Sequence, residues 1–262
     1  MKSIGIIDSY ITEKEQKWLA ILVVLYVFLW FLLKTFVKDA RGKELNLAWP
    51  MVSFIATIQF VRHGCGALFD GTMVELSATP YIRLKADHEG FAELAQITFA
   101  YEVVNTLSSI VIPQYRTVEF LGHHVLTMMI AKCSQSHGPE FYGLFYLGIA
   151  SLSTLPLIIV DIFRHGPPSL AATFPLVNTV ARILFAVTFF AVRTAAWPLV
   201  SIVFWYDSIL NILEPPADGG TWRPYLILLL LSNTFLGALQ VLWAGRIWKG
   251  LKKVIQQKKR DE

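Results

Sequence analysis

The chain has 262 residues, 55% of them hydrophobic and 16% charged, and its mean hydropathy is +0.52. A soluble globular domain carries roughly 25% charged residues, so this much apolar surface needs lipid as its solvent and a soluble enzyme is excluded. The net charge of +4 does not make a nucleic-acid-binding surface. Several of the basic residues sit at span ends and in the tail, where they orient a chain and meet lipid headgroups.

The first apolar run covers residues 18–37 and is long enough to span a bilayer. KDARGKE follows it instead of a small-residue cleavage site, so it reads as a retained leading helix. The second span covers about 48–69. The third covers 91–112 and is stopped by Pro113. The fourth, 119–133, is short for a full crossing and holds His123 and His124 side by side. The fifth covers 140–163 and ends in the RHGPP turn. The sixth runs from 174 to 210, with Pro198 as a kink point. The last covers 224–248 and leads into KGLKKVIQQKKRDE. The expected fold is therefore an all-α, multi-pass transmembrane bundle of about seven helices. A leading region spans 1–45, a membrane domain 46–253 and a basic tail 254–262.

Seven crossings put the two ends on opposite sides. Lys249, Lys252, Lys253, Lys258, Lys259 and Arg260 place the tail in the cytoplasm, and Lys38, Arg41, Lys43, Arg116 and Arg164 then fall on the same side. Asp70, Glu75, Asp87, Glu89, Glu214 and Asp218 fall on the opposite side with the N-terminus, which is expected to be lumenal.

Ionisable groups in hydrocarbon are costly unless partnered, so they turn toward the bundle interior or a wet cavity. Thr98, Glu102, Asn105 and Ser109 share one helical face. Glu119, His123 and Thr127 share another, with His124 about 100° away. Ser151, Thr154 and Asp161 form a stripe on the fifth span. On the sixth, Asn178, Arg182 and Arg193 align, because eleven residues return almost to the starting angle. The simplest packing turns these stripes toward one polar seam, with Glu102 ion-paired to Arg182 or Arg193. The seam can hold helices in register through interhelical hydrogen bonds. It can also carry chemistry, since a neutral imidazole oriented by Glu119 or Glu102 is a competent general base.

Gly64 and Gly66 in VRHGCG permit a close helix approach. Cys65 and Cys133 are too few for a disulfide framework and are expected as free thiols. Six histidines in all do not supply the clustered boxes of membrane di-iron enzymes, so no metal and no resident cofactor is expected. GxGxxG, P-loop, GxSxG and HExxH motifs are absent.

Four blocks, in order, carry a family resemblance: AYEVVNTL, EFLGHHVLTMMIAKC, ARILFAVTFFAVRTAAWPLV and ALQVLWAGRIWKGLKK. The chain resembles TLC-domain membrane proteins, which include ceramide synthases and translocation-associated membrane proteins. The resemblance implies a six-helix core behind one leading helix, and lipid work at the endoplasmic reticulum. It implies membrane lipids as partners, acyl-CoA as a substrate, and His123 and His124 as the residues of acyl transfer. The helix after the histidines, FYLGIASLSTLPLIIVDIF, has no histidine and only one acid, Asp161, with none near Ser151, so it departs from the acidic and histidine residues that ceramide synthases place on this helix. The chain thus looks like a smaller TLC-domain protein. A non-catalytic lipid sensor and a translocation accessory are the alternatives the family offers. A homodimer is compatible with all of them. Lys259 and Arg260 stand where a dilysine-type retrieval signal would.

Overall fold

The structure is a computed structural model that describes residues 11–85, 89–137, 139–214 and 222–261. Asp87 and Asp218, and the side chains of Glu89, Lys258, Lys259 and Arg260, lie outside the described residues. Everything described is helix or connection, without a strand.

Helix α1 spans Glu13–Phe36 and opens with a capping box. Thr12 accepts from the Glu15 backbone N–H, and the Glu15 carboxylate accepts from that of Thr12. Helix α2 spans Glu44–Phe69. It ends before Gly71, whose φ of +91° only glycine adopts cheaply. Two short helices follow, α3 at Thr72–Leu76 and α4 at Pro80–Lys85. Helix α5 covers Glu89–Val111, and Ile112 turns extended ahead of Pro113. Helix α6 covers Val118–His137. Its 20 residues reach about 30 Å at about 1.5 Å per residue, enough for a crossing. Its end lies beyond Cys133, where the sequence pattern stops being apolar.

Helix α7 spans Glu140–His165 but is not uniform. Leu144–Gly148 is π-wound and Ile149–Ser153 is 3₁₀-wound before the α-helix resumes. Pro156 has no N–H to donate and crowds the carbonyl of residue 152, inside the tightened stretch. After the short α8 at Pro168–Thr173, α9 spans Pro175–Leu213 with a π-wound segment at Phe189–Ala196. Pro198 sits just past that segment and acts the same way on residue 194. Helix α10 runs from Trp222 to Asp261.

Among the described residues, seven long helices form the bundle. Five of them (α1, α2, α7, α9 and α10) are long and apolar enough to cross a membrane. The other two, α5 and α6, are diluted by the polar residues they bring to the interior. Helix α1 packs one face on the bundle through Trp18, Leu22, Leu25, Tyr26 and Leu29 and leaves the other face, with Val24, Val27, Phe28 and Phe31, exposed. The core lies between α2, α5 and α7, where Trp49 stacks on Tyr101 at 5.6 Å and Phe60 meets Tyr101 edge-on at 5.4 Å.

Helices α2 and α7 meet backbone to backbone. A Cβ on Gly64 would lie 2.4 Å from the Ile149 nitrogen, and one on Gly148 would lie 2.6 Å from the Gly64 Cα. Gly66 has nothing near it, so only one of the two expected glycines makes the approach. Both cysteines are free.

Candidate functional site

An internal cavity of about 150 Å³ lies between α2, α5, α6, α7, α9 and α10. Glu102, His123, His124 and Arg193 line part of it, and Tyr146, Phe204 and Leu229 carry it onward between apolar walls.

The polar stripe of α5 is buried as its spacing predicts: Thr98, Glu102, Asn105 and Ser109 all face inward. Glu102 is not paired with an arginine. Its Oε2 stands 2.8 Å from His124 Nδ1. A carboxylate there fixes Nδ1 as the protonated nitrogen. The Asn105 amide nitrogen lies 3.4 Å from the same oxygen and 2.9 and 3.3 Å from His124 Nδ1 and Nε2; with Nδ1 protonated, the amide can donate only to Glu102 and to Nε2, the basic nitrogen. Trp49 Nε1 donates to Asn105 Oδ1 at 2.9 Å and closes the chain. The sequence reading missed Trp49, although Trp49, Ser53 and Thr57 recur every four residues on α2 and are all buried.

His123 differs. Its ring meets His124 edge to face at 5.0 Å and Trp243 at 5.6 Å, and its Nδ1 is buried without a hydrogen-bond partner. Thr127 lines the cavity and donates to the His123 carbonyl. Glu102, His123 and His124 each bring a potential ligand atom within 4.8 Å of the others, a donor set of the two-histidine, one-carboxylate kind.

The remaining expectations are corrected by geometry. Glu119 does not orient His123; it pairs with Arg246 of α10 at 2.7 Å. Asp161 lies 3.7 Å from Arg164, one turn along α7, and away from the cavity lining. Arg182 is exposed and bonded to Asn178, whereas Arg193 points inward. The π-wound turn between them breaks the 3.6-residue phase that put both on one face.

Arg193 is held by neutral oxygens. Its Nε donates to Ser153 Oγ at 2.7 Å, one terminal nitrogen to Thr154 Oγ1 at 3.0 Å, and the other to Gln240 Oε1 at 3.4 Å.

Two buried clasps were not anticipated, one of which shares Tyr142 with the cavity wall. Arg83 donates twice to the fully buried Asp207, at 2.5 and 2.8 Å, and Tyr142 donates to it as well. Glu15, also fully buried, accepts from Lys132 at 2.8 and 2.9 Å and from Gln135 at 2.8 Å.

No curated protein and no solved structure matches the chain. A family model of the TLC domain, the domain of TRAM, LAG1 and CLN8 proteins, matches residues 45–249, most of the chain. With its apolar spans, its histidine pair and this match, the chain belongs to the TLC-domain family and is an integral membrane protein.

Proposed function

We propose that the cavity holds an acyl lipid and that His123 is the base of an acyl transfer from acyl-CoA to a lipid hydroxyl or amine. The observation that carries this reading is a buried imidazole nitrogen without a partner, His123 Nδ1, next to an oriented Glu102–His124 pair in an apolar-walled cavity. Neutral imidazole is a base near physiological pH, and exclusion of water keeps an acyl group from hydrolysis.

In the proposed step the acceptor nitrogen or oxygen attacks the thioester carbonyl while its proton passes to His123. The new C–N or C–O bond forms, the C–S bond breaks, and the departing thiolate takes the proton back from the imidazolium. His124, held by Glu102, keeps the neighbouring ring in place.

The test is turnover of a labelled acyl-CoA by the purified protein with amine and hydroxyl acceptors. His123→Ala is expected to lower the rate by about 10²–10⁴-fold, the range for a lost general base. Wild-type turnover that His123→Ala leaves unchanged would sink the assignment.

A second reading, a non-catalytic lipid-binding regulator, is favoured by the Trp49–Asn105–Glu102–His124 chain, which joins α2, α5 and α6 as a structural seam does. Its signature is copurified lipid with no turnover. Under either reading the protein is a smaller TLC-domain member resident in the endoplasmic reticulum, with its basic end cytoplasmic. The orientation rests on the loop charges, and the size class and the organelle on the family resemblance.

A further inference from the structure

Arg193 stands on the wall between two spaces. One is the cavity; the other is a groove of about 430 Å³ between α9 and α10. Arg193, Trp197 and Asn233 line both. The groove rim includes Pro198, Trp205 and Val241, all exposed on the lipid-facing side.

This wall has more donors than acceptors. A guanidinium carries five N–H groups, and the three bonds of Arg193 all go to neutral oxygens. One N–H on each terminal nitrogen remains. Among the described residues no carboxylate makes an ion pair with it: Glu102 is spent on His124, Glu119 on Arg246 and Asp207 on Arg83. Two further N–H donors are buried without a protein acceptor, Trp197 Nε1 and Gln240 Nε2. Gln240 is the residue whose oxygen holds Arg193, and Trp197 follows Arg193 by one turn of α9. A cation within a membrane span is costly without a countercharge, and buried polar groups in folded proteins normally have partners. A Cβ at position 237 would stand in van der Waals contact with the Trp197 nitrogen, 3.8 Å away, so glycine there leaves a methyl-sized space beside that donor.

We propose that Arg193, with Trp197 Nε1 and Gln240 Nε2, is an oxyanion subsite that binds the carboxylate or phosphate head of an acyl lipid. The paired terminal N–H groups of arginine match two oxygens of either head, which a single point charge does not. The tail lies along the Tyr146, Phe204 and Leu229 walls of the cavity, and the groove is the side from which the head reaches Arg193. This rests on the reading that the cavity holds a lipid, and adds to it the class of headgroup.

The experiment measures binding of three oleoyl lipids to the full chain in neutral detergent, at a pH where oleate is ionised. The lipids are oleate, oleoyl lysophosphatidate and the uncharged monoolein. Wild type is expected to bind at least one anionic lipid about tenfold or more tightly than monoolein, the scale of one charge-assisted contact. The tighter of the two identifies the head as carboxylate or phosphate. Arg193→Gln should bring the anionic lipids to the monoolein level. Trp197→Phe, which deletes one donor and keeps an aromatic wall, should weaken them severalfold and leave monoolein unchanged. Equal wild-type affinity for all three lipids overturns the subsite while leaving the lipid cavity standing, and needs no variant to fold. Binding of none of them overturns the subsite and the lipid-cavity reading together.

Discussion

One carboxylate oxygen of Glu102 serves both His124 and Asn105 inside the bundle, so the charge of that side chain sets the tautomer of the histidine beside it. Glu102→Gln replaces an anionic acceptor by an amide that also presents donors to the Asn105 amide. The loss is expected to be about 1.5–3 kcal/mol, the scale of a hydrogen bond to a charged group, and is read as a lowered unfolding midpoint in detergent. Activity should fall with it, because His124 Nδ1 is no longer held protonated. A variant as stable and as active as wild type would mean that the pair orients nothing. The same three side chains could hold a metal, and elemental analysis decides. With Glu102 already committed to His124, the protein is expected to purify without stoichiometric zinc or iron and to keep its activity in chelator. A metal at one per chain would make His123 a ligand instead of a base. Glu102 and both histidines were legible in the sequence for one physical reason: an ionisable group in an apolar run must find a partner. Which partner it finds is not legible, because that depends on how far each helix is rotated.

Rotation is decided at the scale of the element, and here by irregular turns. The sequence places Arg182 and Arg193 on one face by assuming a uniform α-helix. The π-wound segment Phe189–Ala196 turns Arg193 inward and leaves Arg182 outside. Pro198 marks the place, since its missing N–H and its ring disturb the turn before it, but proline alone does not tell a kink from a π turn. In α7 the π and 3₁₀ stretches end at Ser153, and Thr154 and Asp161 share a face of the regular helix that follows; Asp161 misses the cavity because seven residues carry it about 10 Å farther along the axis. Those stretches surround Gly148, and the contact of Gly148 with Gly64 allows α2 and α7 to touch. Gly64→Ala or Gly148→Ala puts a methyl against backbone, which cannot move aside as a side chain would. Each is expected to cost about 1–3 kcal/mol by overpacking, measured as thermal unfolding. Gly66→Ala, with open space around it, is the internal control and should be neutral or slightly stabilising, as alanine favours helix over glycine. Equal effects at Gly64 and Gly66 would contradict the close approach.

Across the whole molecule the two ends of the bundle are fastened differently. At one end Arg83 of α4 and Tyr142 of α7 grip Asp207 of α9, while Lys132 of α6 grips Glu15 of α1. Both carboxylates are fully buried. Hydrogen bonding to Asp207 raises the Arg83 guanidinium above its ordinary value, so that clasp keeps its positive member across the physiological range. At the other end, among the described residues, the long-range ion pair is Glu119 with Arg246, whose side chains are 33% and 58% exposed; Lys43 donates to the Gly166 carbonyl at 3.0 Å, and Ser169 reaches Asp39 at the surface. Removing one member of a buried pair leaves the other charge stranded and costs about 3–5 kcal/mol; an exposed pair is worth about 0–1 kcal/mol and is screened by salt. Asp207→Asn should therefore lower the unfolding midpoint strongly and independently of salt. Glu119→Gln should lower it slightly, and only at low ionic strength. The histidine pair lies one helical turn from Glu119, on the weakly fastened end, which is the end that can part to admit a ligand without breaking a buried clasp. Hydrogen exchange gives the direct comparison: amides of α6 near Glu119 should exchange faster than those of α9 near Asp207. Uniform exchange along the bundle, or equal losses from the two substitutions, would contradict a molecule clamped at one end and open at the other.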